Sequence, residues 1–148
     1  MKVFFVRHGQ ADGDLVDNGR RQVEAASSFL KRLNMEVTQV CLLTSPTKRA
    51  VGSAEIIQQA LGLSEAKVTD WLDDGYGGKD IPDKITEFFK NTPTCQFIVA
   101  VSHMPEIEEA LERFARRFGK SFFTTAKNGS VYLVDTDTGL IEKVFQPS

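Results

Sequence analysis

Only two histidines occur in this 148-residue chain, His8 and His103, and both directly follow apolar runs. The first stands in "VFFVRHG" (Val3–Gly9), the second in "FIVAVSHMP" (Phe97–Pro105). A third apolar run, "VCLLT" (Val40–Thr44), leads into "SPTKRA" (Ser45–Ala50), which carries Arg49. Taken singly, an arginine is usually a solvated surface residue, and a lone histidine is more often a hydrogen-bonded structural group than a catalyst. Four such residues, Arg7, His8, Arg49 and His103, each placed just beyond a buried-looking segment, are hard to explain by packing. Arginine forks match phosphate oxygens, and each charge-assisted bond contributes roughly 1.5–3 kcal/mol. A neutral imidazole is nucleophilic near pH 7. Together the residue types suit a phosphate dianion and transfer of its phosphoryl group.

The elements that must carry these residues alternate in kind. Lys2–Val6 predicts a strand, apolar almost throughout and so buried on both faces. Asn18–Leu33 predicts a helix, with Val23, Ala26, Phe29, Leu30 and Leu33 on one face. Val37–Leu43 is a second buried strand. Pro46–Leu61 follows as a helix, with Ser45 as its N-cap, Pro46 at the first position and Gly62 as the C-terminal cap. Lys67–Leu72 is a short strand, Asp73–Asp80 a glycine-rich loop and Lys84–Lys90 a short helix. Phe97–Val101 is the third strong strand, and Pro105–Phe118 a helix with Ile107, Leu111, Phe114, Ala115 and Phe118 inward. Ser130–Val134 and Leu140–Phe145 are strands joined by the turn "DTDTG". Such alternation implies parallel βαβ units with helices on both faces of the sheet, in one domain spanning 1–148. Ligands of such sheets bind beyond the carboxyl ends of the strands. Arg7, His8, Arg49 and His103 all lie there.

Composition narrows the partners. The apolar fraction of 41% and charged fraction of 26% are those of a soluble globular protein. A net charge of −2 provides no global field toward nucleic acid or a membrane surface. No apolar run approaches the ~20 residues of a membrane span, and the N-terminal apolar stretch is too short for a secretory signal. Cys41 and Cys95, both in apolar runs, read as small buried hydrophobes of a reducing cytoplasmic compartment.

Metal chemistry is a poorer account of the histidines. Two histidines with neither a cysteine pair nor a carboxylate at ligand spacing make a weak zinc set. "DGDLVDNG" (Asp12–Gly19) resembles a calcium loop only faintly, because Val16 takes the place of the third carboxylate and the glycine comes two places late. "GYGGKD" (Gly75–Asp80) contains Gly-Lys but ends in Asp80 instead of the Ser or Thr of a phosphate loop. No metal and no other cofactor is expected.

Arg7-His8-Gly9 after an N-terminal strand, "SPTKRA" (Ser45–Ala50) and the late Ser102-His103 resemble the histidine phosphatase superfamily. "LVDNGRRQ" (Leu15–Gln22) is similar to the family's segment opening the first helix, with Val16 where threonine is common. The short chain, "SHMP" and "FFTTA" (Phe122–Ala126) look most like the bacterial phosphohistidine phosphatases of the SixA type. The resemblance implies a three-layer α/β/α, phosphoglycerate mutase-like fold with a mostly parallel central sheet. It also implies that His8 takes the phosphoryl group while Arg7, Arg49 and His103 bind it.

The chain departs from the pattern where a general acid would stand. Some branches place an aspartate directly after the second histidine; here that residue is Met104. Mutase-like branches use a glutamate in a segment that here reads "VTDWLDDG" (Val68–Gly75), with Trp71 at the carboxylate position. Gln10 also stands where mutases often have glutamate. Asp70, Asp73 and Asp74 are the nearby substitutes, although ordinary loop carboxylates account for them better. A missing acid suits a phosphoramidate, whose imidazole leaving group solvent can protonate. The substrate expected is therefore a phosphohistidine-bearing protein, such as a histidine-phosphotransfer domain. Two rivals stand: a phosphatase of small phosphate monoesters, and a phosphate-binding interaction module that does no chemistry.

Overall fold

The computed structural model describes residues Met1–Ser148. A six-stranded sheet is built from β1 (Lys2–Arg7), β4 (Val40–Thr44), β5 (Ala66–Val68), β6 (Phe97–Ser102), β7 (Val131–Asp135) and β8 (Leu140–Phe145). Two further strands, β2 (Ala11–Asp12) and β3 (Asp14–Leu15), form a small separate hairpin. The helices are α1 (Asp17–Arg32), α2 (Lys48–Leu61), α3 (Ile81–Lys90) and α4 (Glu106–Arg117). Strand order is β5-β4-β6-β1-β7-β8, with β5, β4, β6 and β1 mutually parallel and β7 antiparallel to both of its neighbours, β1 and β8. The mostly parallel sheet expected from the alternation is thus present.

Its core is double. Alternate residues of each strand point to opposite faces. Val3, Phe5, Ile98 and Ala100 pack with Ile81, Ile85, Ile107, Leu111 and Phe114 from α3 and α4 on one face. Phe4, Val6, Val99 and Val101 pack with Val23, Ala26, Leu30, Ala54 and Ile57 from α1 and α2 on the other. Three layers result. Cys41 and Cys95 are free thiols. No helix is long and apolar enough to cross a membrane.

Several boundaries differ from the sequence expectation. Helix α2 begins at Lys48, and its N-cap is Thr47, whose side chain accepts the Ala50 amide; Ser45 does not cap it, and Pro46 lies outside. Gly62 closes the helix in the left-handed conformation, as expected (φ 71°). Residues Val37–Gln39 form a 3-10 turn before β4. The expected strand Lys67–Leu72 divides into β5 and a 3-10 turn over Asp70–Leu72. Helix α3 starts three residues early, at Ile81, because Pro82 is tolerated in a first turn whose amides need no intrahelical partner. Helix α4 begins just after Pro105.

Candidate active site

Strand order brings the three exits together. Because β6 lies between β4 and β1, Thr44, Val101 and Val6 stand level across three neighbouring strands. His8 and His103 each come two residues later, and their rings meet edge to face with centroids 4.9 Å apart. Backbone bonds extend the ladder past the strand ends: the His8 amide donates to the Ser102 carbonyl and the Ser45 amide to the Val101 carbonyl. Glycine in the Arg-His-Gly triplet has a steric reason. A Cβ on Gly9 would collide with the Gly19 carbonyl, so the first loop lies flat on the start of α1.

His8 is 7% exposed, and its Nδ1 lies 2.8 Å from the Gly9 carbonyl. A carbonyl only accepts, so Nδ1 carries the proton and Nε2 keeps its lone pair. Arg49 Nε donates to that Nε2 at 3.3 Å. Burial, opposed by the Gly9 bond and reinforced by His103, Arg49 and Arg7, lowers the His8 pKa to about 4. Burial first and Arg49 second lower His103 to about 4 as well, against the raising effect of Asp74 and Asp73. Both imidazoles are therefore neutral at pH 7. His103 Nε2 shares a 2.7 Å hydrogen bond with the Ser45 hydroxyl, and its Nδ1 is buried without a partner.

Arg7 is anchored through Nη1 to the Ala126 carbonyl at 2.7 Å. Its pKa is lowered by burial, raised by Glu108 and lowered by Arg49. Arg49, at the second position of α2, reaches back from the helix start, with Nη2 3.2 Å from Asp74 Oδ2. A pocket of about 320 Å³ opens on these groups, lined by Arg7, His8, Arg49 and His103 together with Gln10, Ala11, Gly13, Asp74, Met104 and Asn128.

All four residues singled out by their place after apolar runs thus line one pocket. The three aspartates separate. Asp74 lines the pocket, Asp73 lies behind it near Ser45, and Asp70 is exposed on the 3-10 turn and lines no part of it. Trp71 packs half-buried against the core beside Lys84 and Phe88 of α3 instead of entering the pocket. Sequence reasoning missed Asn128, whose side-chain amide donates to the His8 carbonyl at 3.0 Å. The Asn128-Gly129 pair was its only local signal: Gly129 has φ 75°, and its amide donates to the Arg7 carbonyl, which turns Asn128 onto the histidine loop. Ser45 was read as a helix cap and is instead the partner of His103. Glu106, 2% exposed on α4, carried no sequence signal at all. No group of three His, Cys, Asp or Glu side chains is arranged to hold a metal ion.

The model of the histidine phosphatase superfamily (branch 1) matches residues 3–134, and the chain belongs to this superfamily. No curated protein matches the sequence. Among solved structures, the protein histidine phosphatase SixA complexed with tungstate is similar with a TM-score of 0.75 at 23% identity, covering 100% of this chain and 97% of that one. A putative phosphohistidine phosphatase SixA from Agrobacterium tumefaciens has a TM-score of 0.69 at 17% identity, covering 99% and 97%. A phosphoserine phosphatase mutant from Entamoeba histolytica, in complex with phosphoserine, has a TM-score of 0.71 at 15% identity, covering 99% and 96%. At these identities the likeness is one of fold.

Proposed function

We propose that this protein is a phosphatase that works through a phospho-His8 intermediate and acts on protein phosphohistidine. The carrying observation is the His8 tautomer, with Nδ1 tied to the Gly9 carbonyl and Nε2 turned to the pocket beside Arg49. Nε2 attacks the phosphorus in line as the bond to the leaving group breaks. Arg7, Arg49 and His103 surround the equatorial oxygens and stabilise the charge they share in the transition state. The leaving imidazole takes its proton from solvent. Water then attacks phospho-His8, restoring the imidazole and releasing phosphate. A dianion in the pocket draws Arg49 Nε off His8 Nε2, which frees the lone pair for attack. Met104 after His103 and Trp71, half-buried away from the pocket, leave no dedicated acid, which supports a phosphoramidate substrate over an alkyl ester.

One observation favours a second reading, a phosphatase of small esters: Asp74 lines the pocket and is a carboxyl within reach of a leaving group. Phosphoryl trapping tests the first step common to both. Wild-type protein given labelled phosphoramidate and quenched in base retains acid-labile label, and His8→Ala retains none. Full labelling of His8→Ala refutes the assignment of the nucleophile.

A further inference from the structure

The segment from Leu72 to Gly78 bridges two corners of the molecule. One side is tied to the turn from β6 into α4. There the Leu72 carbonyl accepts the Ser102 hydroxyl at 2.7 Å, and the Gly75 amide donates to Glu106 Oε2 at 3.1 Å. Gly78 lies against the Glu106 backbone, where a Cβ would collide with the Glu106 carbonyl. The other side faces the start of α2: Asp73 approaches Ser45, and Asp74 Oδ2 pairs with Arg49 Nη2. Gly75 and Gly77 hold positive φ (83° and 111°), so this path has little intrinsic preference of its own and takes its shape from these ties.

Glu106 is the unusual member. It is 2% exposed, its Oε1 is buried without a partner, and burial raises its pKa against the lowering effect of the Gly75 bond. A buried carboxyl with one oxygen unsatisfied costs stability that an apolar side chain there would not. Its single side-chain bond holds the residue next to Asp74.

We propose that Glu106 is a positioning residue of the pocket: through the Gly75 amide it sets the place of Asp74, and through Asp74 it sets the plane of the Arg49 guanidinium beside His8. The proposal rests on the pocket being a phosphate site. Two variants separate it from a plain helix-end role, in which an acid at the first position of α4 stabilises the helix through its charge. Glu106→Gln keeps the reach and an acceptor but loses the charge. Glu106→Asp keeps the charge but is one methylene too short for Gly75.

The test combines Gly75 amide exchange by NMR with tungstate titration by calorimetry on the full chain. In Glu106→Asp, Gly75 exchanges at least ten-fold faster, and the tungstate Kd shifts at least three-fold. Asp74→Ala shifts that Kd in the same direction by a matching factor, and the double variant goes no further. In Glu106→Gln both readouts stay within two-fold of wild type. Glu106→Asp with wild-type Gly75 protection, an unmoved Kd in Asp74→Ala, additive shifts in the double variant, or Glu106→Gln matching Glu106→Asp would each overturn the proposal. Wild-type protein that binds no tungstate overturns both the pocket and the proposal. Coupled tungstate binding without any phospho-enzyme overturns the catalytic reading alone and leaves Glu106 in its role.

Discussion

The exits of β4 and β6 share a local pattern, strand then serine then a proline beside a helix start, yet their helices open with opposite charge. Helix α2 starts with Lys48 and Arg49 in its first turn, and α4 with Glu106, Glu108 and Glu109. The positive end of the helix dipole disfavours the first arrangement and favours the second, each residue by ~0.3–1 kcal/mol. Helix α4 therefore follows the rule for stability. Helix α2 breaks it, and the residue that breaks it, Arg49, points into the pocket between His8 and Asp74. A side chain held against its local electrostatic preference is explained by what it faces. On α4 the same reasoning separates Glu109, whose charge suits the helix end, from Glu106, whose burial does not.

On the proposed reading neither exit supplies a general acid, since Met104 comes after His103 and Asp74 is paired with Arg49. Rates should therefore track the leaving group. Phosphohistidine peptides should be cleaved fastest, aryl phosphates at intermediate rates, and alkyl phosphates slower than phosphohistidine by the ~10²–10⁴-fold that a positioned acid contributes. The measurement is kcat/KM across the three classes for wild type and for Asp70→Asn, Asp73→Asn and Asp74→Asn. Equal rates on alkyl phosphate and phosphohistidine, with Asp74→Asn losing only the alkyl activity, would make the β4 side of the pocket an acid-bearing one.

Removing the cation that breaks the rule comes next in size. Arg49→Ala should lower kcat/KM by ~10²-fold or more, as losing a preorganised charge donor does, and Arg7→Ala should do the same. Arg49→Lys should restore little, because lysine lacks the planar fork. Stability of Arg49→Ala should stay within ~1 kcal/mol of wild type, since relief at the helix start offsets the lost, partly exposed ion pair with Asp74. Unchanged activity in Arg49→Ala would place this arginine on the surface and remove the contrast between the two exits.

Acid should act on the exits of β1 and β6 at once. His8 and His103 have folded pKa values of about 4, below the ordinary histidine value near 6.5. Groups depressed on folding contribute stability that is complete above the unfolded pKa and is lost as pH falls through the folded one. The urea midpoint should therefore fall between pH 6.5 and 4, more steeply in wild type than in a His8→Ala/His103→Ala variant. Equal slopes would show that the imidazoles are more solvated than their burial implies. The smallest expected effect is on α4. Glu109→Gln should cost ~0.3–1 kcal/mol of stability and leave kcat/KM unchanged, as thermal unfolding and a rate assay would show.

Much of this architecture was legible in the chain itself. The unbroken apolar runs at Val3–Val6 and Ile98–Val101 marked strands buried on both faces, and periodic helices between them implied a parallel sheet. Glycine at position 62 announced the end of α2. Element edges were less legible wherever two signals competed. Ser45 and Thr47 are both good caps, and the demand of His103 for a partner took Ser45. Asp70–Leu72 read as strand from its apolar residues but turns, because Leu72 is drawn down by the Ser102 hydroxyl.

The sequence by itself determined that two imidazoles and two guanidiniums would stand at strand ends, because local apolar patterning decides where a strand stops and which side chains stand just beyond it. Only the tertiary structure decided that the three exits are neighbours, since β6 enters between β1 and β4 from nearly a hundred residues along the chain. It also decided the His8 tautomer, the choice of Asp74 over Asp70 at the pocket, and the burial of Glu106. The tautomer depends on how the fold turns the neighbouring Gly9 carbonyl, and the other two depend on a loop and an amide brought from elsewhere in the chain. Such contacts leave no periodicity for the sequence to display.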